Sequence, residues 1–283
     1  MSTVTTISNL TLSQKDFNRF RKLAYDYCGL AIEEGKEGLV ASRLTKIMRS
    51  LNIGSFSEYY EYVINDKSSD ALVTMIDHLT TNYTNFFREP KHFEFLSSTI
   101  FPALANRSEY TIWSAACATG EEPYSLAFAA HEHYGNSGPT VKLLATDIST
   151  KVLARAQDGT YNEKCFQQVP MEVLRKYLQR GVGPAAGNYR VKQFIREAIS
   201  FRRLNLIRQF ESFVESYPLI LCRNAMIYFD IPTQQELVNR FYEHLEPGGY
   251  FFVGHAESLN NLKHRFEYVQ PAVYKKPGSL RSR

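Results

Sequence analysis

An alternation that begins at Thr111 narrows the fold more than any other feature of the sequence. TIWSAAC (111–117) is β-branched and aromatic, EEPYSLAFAAHEHYG (121–135) carries apolar residues at helical spacing, VKLLATDI (141–148) is strand-like again, and STKVLARAQ (149–157) is helical. Strand–helix–strand repetition of this kind predicts a parallel sheet with helices on its faces. YPLILCRN (217–224), the helix PTQQELVNRFYEHLE (232–246) and GGYFFVGH (248–255) continue the pattern, and FEYVQPAVYKK (266–276) reads as a closing hairpin partner. Between Gly159 and Ile199 the rhythm breaks. There a short helical stretch, the turn GVGPAAG (181–187) and the strand-like YRVKQF (189–194) suggest a small insertion with β character.

Residues 13 to 78 have a different texture. SQKDFNRFRKLAYDY opens with Ser13 and Asp16 in a capping-box arrangement, and the whole stretch reads as several short helices without an alternating strand. The 283 residues are 44% hydrophobic and 22% charged, which gives room for a packed core, and no tandem repeat is visible. The net charge of +4 is too mild to argue for nucleic acid or an anionic membrane. Cys28, Cys117, Cys165 and Cys222 show neither metal-type pairing nor disulfide density, so a reducing, cytoplasmic setting is expected. No basic leader followed by an apolar stretch and no membrane-length apolar segment is seen, so neither secretion nor membrane insertion is expected.

The small-residue loop SAACATG (114–120), set between a strand and a helix, has the layout of a nucleotide-type cofactor site, where helix N-terminal amides face the ligand. Glu121 and Glu122 suit the positive end of their helix but would repel a pyrophosphate. The loop is therefore read as built for a ligand without phosphates. Asp147 ends the next strand, roughly twenty to thirty residues on, where such folds bind ribose hydroxyls. It serves equally well as a cap for the helix that starts at Ser149 or Thr150. An acidic loop and a ribose-type aspartate together point to a phosphate-free nucleoside. S-adenosylmethionine is the common one, and its positive charges suit Glu122.

Two further stretches carry polar groups of the right kind. HLTTNYTNFFREPKHFEFL (78–96) sets Asn82, Thr84 and Arg88 beside Phe86 and Phe87, and its arginine is either a fork for a carboxylate or an ordinary solvated linker residue. LCRNAMIYFD (221–230) is a buried-looking strand ending in Arg223 and Asn224, followed by Tyr228. Parallel-sheet enzymes place ligand contacts at such ends, though these groups can instead cap the next helix.

NYTNFFRE, WSAACATGEEPYSLA, ATDI, the pair Asn205 and Leu206, and CRNAMIYF occur in an order and spacing that resembles the bacterial chemoreceptor glutamate methyltransferases, the CheR family, over about Leu10 to Tyr274. The resemblance implies an all-helical N-terminal domain (1–80), a linker contributing cofactor contacts (81–108), and an α/β, Rossmann-like S-adenosylmethionine-dependent methyltransferase domain (109–283). A small β-subdomain is inserted in the last of these at about 160–198. Cofactor contacts implied position by position are Asn82, Thr84, Arg88, Glu122, Asp147 on ribose, Asn205 and Leu206 near adenine, and Arg223 with Asn224. Arg88 and Tyr228 would line the reaction centre, Phe86 and Phe87 would form its wall, and Cys117 replaces another small residue as packing. The product would be S-adenosylhomocysteine, and the acceptors would be glutamates in the cytoplasmic methylation region of chemoreceptors, feeding adaptation in chemotaxis. A monomer is expected.

A glutamate acceptor, with a reference pKa near about 4.3, is already ionised at neutral pH, which accounts for a sequence without an obvious general base. On LVASRLTKIMRSL (39–51), Val40, Leu44, Ile47, Met48 and Leu51 share one helical arc, and Arg43, Lys46 and Arg49 share the neighbouring one. That basic stripe is a solvated face or, under the resemblance, a dock for an acidic receptor helix. The β-subdomain would grip a receptor C-terminal tail peptide by strand addition, as in some members. His131 and His133 lie two apart on a helix and face different ways, so no metal is expected. An RNA methyltransferase and a cofactor-sensing adaptor without turnover are the competing functional classes.

Overall fold

The computed structural model describes residues 10–80, 83–167, 169–210 and 216–278, and these divide into two compact units. The first comprises residues up to 82 together with Tyr228–Asp230. Its helices are α1 (Gln14–Cys28), α2 (Glu37–Ser50), α3 (Phe56–Asn65) and α4 (Asp70–Leu79). Ser13 caps α1 as its pattern predicts: its side chain accepts from the Asp16 N–H at 3.1 Å. Gly29 ends α1 in the left-handed region (φ 73°), where a glycine has no Cβ to clash. Phe20 packs edge-on against Phe56 and Tyr60, around a core that also buries Phe17 and Tyr59.

Helix α2 buries Val40, Leu44, Ile47 and Met48 and packs against α4, as the arc predicts. Leu51 departs from it. It follows the last turn of α2 as C-cap and is 39% exposed, because the helix stops before its side chain can reach the core. Arg43 also departs from a solvated stripe: it is half-buried and donates to the Leu79 carbonyl at the end of α4, whereas Lys46 and Arg49 are exposed. A cation at a helix C-terminus satisfies a carbonyl that the helix leaves orphaned.

The second unit holds the remaining described residues. In chain order its elements begin with α5 (Pro90–Phe95), running through a π-helical turn at Leu96–Ile100 into α6 (Phe101–Leu104), then β1 (Glu109–Ala115), α7 (Glu121–Tyr134), β2 (Thr140–Asp147) and α8 (Thr150–Asp158). They continue with β3 (Thr160–Asn162), α9 (Met171–Tyr177), β4 (Leu178–Arg180), β5 (Asn188–Val191), α10 (Gln193–Glu197) and β6 (Ile199–Arg203). The last are β7 (Tyr217–Cys222), α11 (Ile231–Glu243), β8 (Leu245–Phe252), β9 (Glu267–Gln270) and β10 (Val273–Lys275).

The main sheet runs β6-β2-β1-β7-β8-β10-β9. Its first five strands are parallel, and β10 and β9 close it as an antiparallel hairpin. Every residue of β7 is buried, as expected of a strand covered on both faces. The chain builds outward from β1 to β2 and β6, then resumes on β1's other side with β7 and β8. The reversal falls between β1 and β7, and open α/β sheets bind ligands beyond the carboxyl ends of such strands. A separate antiparallel sheet of order β3-β5-β4 spans 160–191. YRVKQF is only half strand: β5 ends at Val191, and Gln193 and Phe194 begin α10.

Candidate cofactor-binding site

The floor of the site is the turn between β1 and α7. Ala116, Ala118 and Gly120 all have positive φ (60°, 48° and 95°), so the loop needs small residues, and Gly120 needs to be glycine on two counts. A Cβ there would lie 2.8 Å from both the Ala156 Cβ and the Tyr161 hydroxyl. Asp147, half-buried at the end of β2, accepts from the Ala118 N–H and from the Ser149 N–H, each at 2.9 Å. Ser149, not Asp147, is the N-cap of α8. Asp147 thus ties the first loop to the second and keeps its carboxylate at the strand ends.

The two adjacent glutamates behave differently. Glu121 turns inward, is 3% exposed, accepts from the Thr119 hydroxyl at 2.6 Å, and is pushed above the usual carboxylate range by burial. It does not face a ligand, contrary to its reading as half of an acidic pair. Glu122 lies 100° further round the helix, where it accepts from the Ser114 hydroxyl at 2.7 Å and from Arg223 at 3.0 Å.

Arg223, buried at the end of β7, is the hub of the site. Its guanidinium bridges Glu122 and Glu89 at 3.0 Å each and donates to the Arg88 carbonyl. Glu89 sits at φ 60° just before α5, and its other oxygen accepts from the His255 N–H at 3.1 Å and the Asn224 side-chain amide at 3.4 Å. Burial opposes ionisation of Glu89, but the Arg223 charge and the His255 N–H outweigh it and hold the carboxyl below its usual range. Glu89 is therefore held as a carboxylate in the cluster.

The turn after β7 has a second brace. Glu257, itself buried, accepts from the backbone N–H of Asn224 (2.7 Å), Gly254 (2.6 Å) and Ile227 (3.2 Å). Burial raises its carboxyl above the usual range against the pull of those amides. Asn224 adopts φ 58°, and a Cβ on Gly254 would fall 2.3 Å from its side-chain nitrogen.

His92 lies behind Glu89, with its Nδ1 at 3.4 Å, and packs edge-on against His255 at 4.9 Å between ring centroids. Burial, and then the nearby Arg223 charge, lower its pKa to about 3, so the ring is neutral at pH 7. Among the described residues Glu89, His92 and His255 bring three potential metal-ligating atoms within 4.8 Å. Both Glu89 oxygens are engaged by donors and Arg223 sets a positive charge against them, so a cation would have to displace a buried ion pair.

The structure thus joins Arg88 (through its carbonyl), Glu122, Arg223 and Asn224 in one network. The Leu204 N–H donates to the Asp147 carbonyl at 2.9 Å, which sets buried Asn205 and Leu206 just beyond the end of β2. The Asn205 side-chain oxygen accepts from the Ile207 N–H at 3.0 Å. Thr84 is half-buried. Arg88 bends back to the Tyr83 carbonyl at 2.9 Å. Asn82 lies outside the described residues. Tyr228 partitions with the helical unit. Phe86 is no wall residue: it is buried among Phe128, Tyr161 and Phe166. Cys117 is buried packing, its thiol pushed well up by burial, which leaves no thiolate nucleophile.

The sequence alone does not single out Glu89, His92 or Glu257. Glu89 and His92 sit inside the singled-out stretch FFREPKHF, but their partner Arg223 lies more than a hundred residues away, and GHAE at 254–257 resembles a stretch of the family yet reads equally as the finish of the last strand.

A site fit for S-adenosylmethionine must accept positive charge and offer a carboxylate near a small-residue loop. Glu122 and Asp147 supply the carboxylates, and Arg223 is already neutralised by two glutamates.

Comparison with known proteins identifies the family. Residues 15–80 match the CheR methyltransferase all-alpha domain, and residues 82–275 match the CheR methyltransferase SAM binding domain. Chemotaxis protein methyltransferase 2 of Pseudomonas aeruginosa is 39% identical over 93% of this chain and 93% of its own length. The chemotaxis protein methyltransferase of Escherichia coli is 37% identical over 94% of this chain and 92% of its own, and that of Borreliella burgdorferi is 36% identical over 95% and 96%.

Proposed function

This chain belongs to the CheR methyltransferase family and is an S-adenosylmethionine-dependent methyltransferase of chemotaxis, and from that premise we propose that it methylates glutamate side chains in the cytoplasmic region of chemoreceptors. The carrying observation is the pairing of buried Arg223 with both Glu89 and Glu122 at the strand ends, beside the Asp147 carboxylate on the first loop. Bound there, the cofactor supplies an electrophilic methyl group on sulfonium. Glu122, Asp147, Asn205, Leu206, Arg223 and Asn224 hold it, with Asn82, Thr84 and Arg88 contributing from the segment before α5. The Glu89–Arg223–Glu122 network fixes the carboxylates in direction before the cofactor arrives.

An acceptor glutamate needs no proton removed, so the protein's work is orientation and exclusion of water; orientation can supply on the order of 7–11 kcal/mol. Arg88 orients the acceptor carboxylate by its charge, and Tyr228 contributes a hydroxyl at the reaction centre. Substituting Arg88→Ala or Tyr228→Phe is expected to depress turnover far more than stability.

Lys46 and Arg49, exposed on α2, are the cations that would meet an acidic receptor helix, with Arg43 acting mainly to cap α4. Lys46→Glu with Arg49→Glu is expected to weaken receptor methylation and leave cofactor affinity unchanged. The edge strand β4, with Gln179 and Arg180 exposed, is where a receptor tail peptide would add. The protein would act in the cytoplasm as a monomer; no helix of the described residues is long and apolar enough to cross a membrane.

Incubation with methyl-labelled cofactor and receptor membranes tests the reading. Label released from receptor by mild base, as a methyl ester is, supports it; base-stable label, or label in RNA, overturns it.

A further inference from the structure

We infer that Tyr25 and Asp230, neither of which has been given a part in the chemistry so far, are positioning residues for Tyr228. The inference rests on the role proposed above for Tyr228. The tripeptide Tyr228–Asp230 partitions with the helical unit, although its sequence neighbours on both sides do not. The reason is local and specific. Helix α1 stops at Gly29, whose left-handed backbone returns its N–H to the Tyr25 carbonyl at 2.8 Å and sends the chain on in a new direction. Leu30, buried at that bend, forms an antiparallel bridge with Phe229. The next N–H, that of Ala31, donates to the Tyr228 carbonyl at 2.8 Å. One turn back along α1, the Tyr25 hydroxyl donates to the Asp230 carboxylate at 2.9 Å.

The carbonyl of Tyr228 and the side chain two residues on are therefore both tied to the end of one helix. A phenol's usefulness in orienting a reaction depends on how few backbone states carry it, and Tyr228 ends a 3-10 turn just before the helix that starts at Ile231. Tyr25 is 43% exposed, so it contributes little as core packing, and its hydroxyl is the part that the geometry uses. Tyr25 and Asp230 also line a groove of about 560 Å³ with Arg21, Lys22 and Asp26, which leaves the bond reachable from solvent and open to perturbation.

The experiment is a double-mutant cycle in the full chain, with receptor membranes as acceptor. Tyr25→Phe is expected to lower kcat about fivefold, the worth of one hydrogen bond, with KM for S-adenosylmethionine and the melting temperature unchanged. It should add little further loss on top of Tyr228→Phe, because the two act through the same side chain. Asp230→Asn, which keeps an acceptor oxygen, should lose less than Asp230→Ala. Full turnover by Tyr25→Phe beside an impaired Tyr228→Phe overturns the inference, as does a fully multiplicative double mutant. Full turnover by Tyr228→Phe withdraws the role of Tyr228 itself, and the inference falls with it.

Discussion

The carboxyl ends of β1 and β7 lie side by side in the sheet and solve the same problem by opposite means. After β1 the chain is turned by steric economy: Ala116, Ala118 and Gly120 take left-handed backbone conformations, and the turn is closed by packing against Ala156 and Tyr161. After β7 it is turned by charge, with Arg223 forked between two glutamates and Asn224 seated on Glu257. The first device depends on residues close in sequence and tolerates no added volume. The second depends on residues from distant segments and tolerates no unpaired charge. A cofactor that is itself charged has reason to meet the second kind of wall, since a preformed ion network need not reorganise when it binds.

The comparison breaks most sharply at Arg223. Arg223→Ala strands Glu89 and Glu122 in a buried setting and is expected to cost about 3–5 kcal/mol in denaturant unfolding, with cofactor binding lost in calorimetry. Gly120→Val attacks the other wall by strain and overlap; about 1–3 kcal/mol is expected, with weakened cofactor binding. Equal costs from both substitutions would mean that the charge network is no more critical than the steric turn. Glu257→Gln keeps one acceptor oxygen for three amides, so a loss of about 1–3 kcal/mol is expected, together with lower kcat.

A last effect concerns acid. The His92 ring, depressed to about 3 in the fold against an ordinary value near 6.5, takes up a proton in the unfolded chain first. It favours the fold above about pH 6.5, and that contribution drains away as pH falls toward 3. His92→Asn should therefore show a flatter melting temperature between pH 6.5 and 4 than the unsubstituted chain. An identical slope would show that His92 carries none of the acid sensitivity.

The same contrast explains what was legible in the sequence. The parallel sheet, the Ser13 cap and the small-residue loop follow from neighbours in the chain, and each was readable. Asp147 was readable as a strand-end carboxylate, yet its two amide bonds were not, because one comes from the preceding loop. Glu121 and Glu122 read as a pair because sequence places them side by side, while 100° of helical rotation sends one to the core and the other to Arg223. Phe86 looked like lining for a similar reason: a phenylalanine beside an arginine carries no mark of which way it points. Glu89, His92 and Glu257 acquire meaning only through partners brought in by the fold.

At the end of β8, Gly254 presses its bare α-carbon against the Asn224 amide. A single methyl group there would lever that amide off Glu89, and the disturbance would pass by contact to Arg223 and on to Glu122. The hydrogen atom on one glycine thus sets the tolerance of a relay four side chains long, and the last strand of the parallel sheet is as much a gauge for the pocket as a support for it.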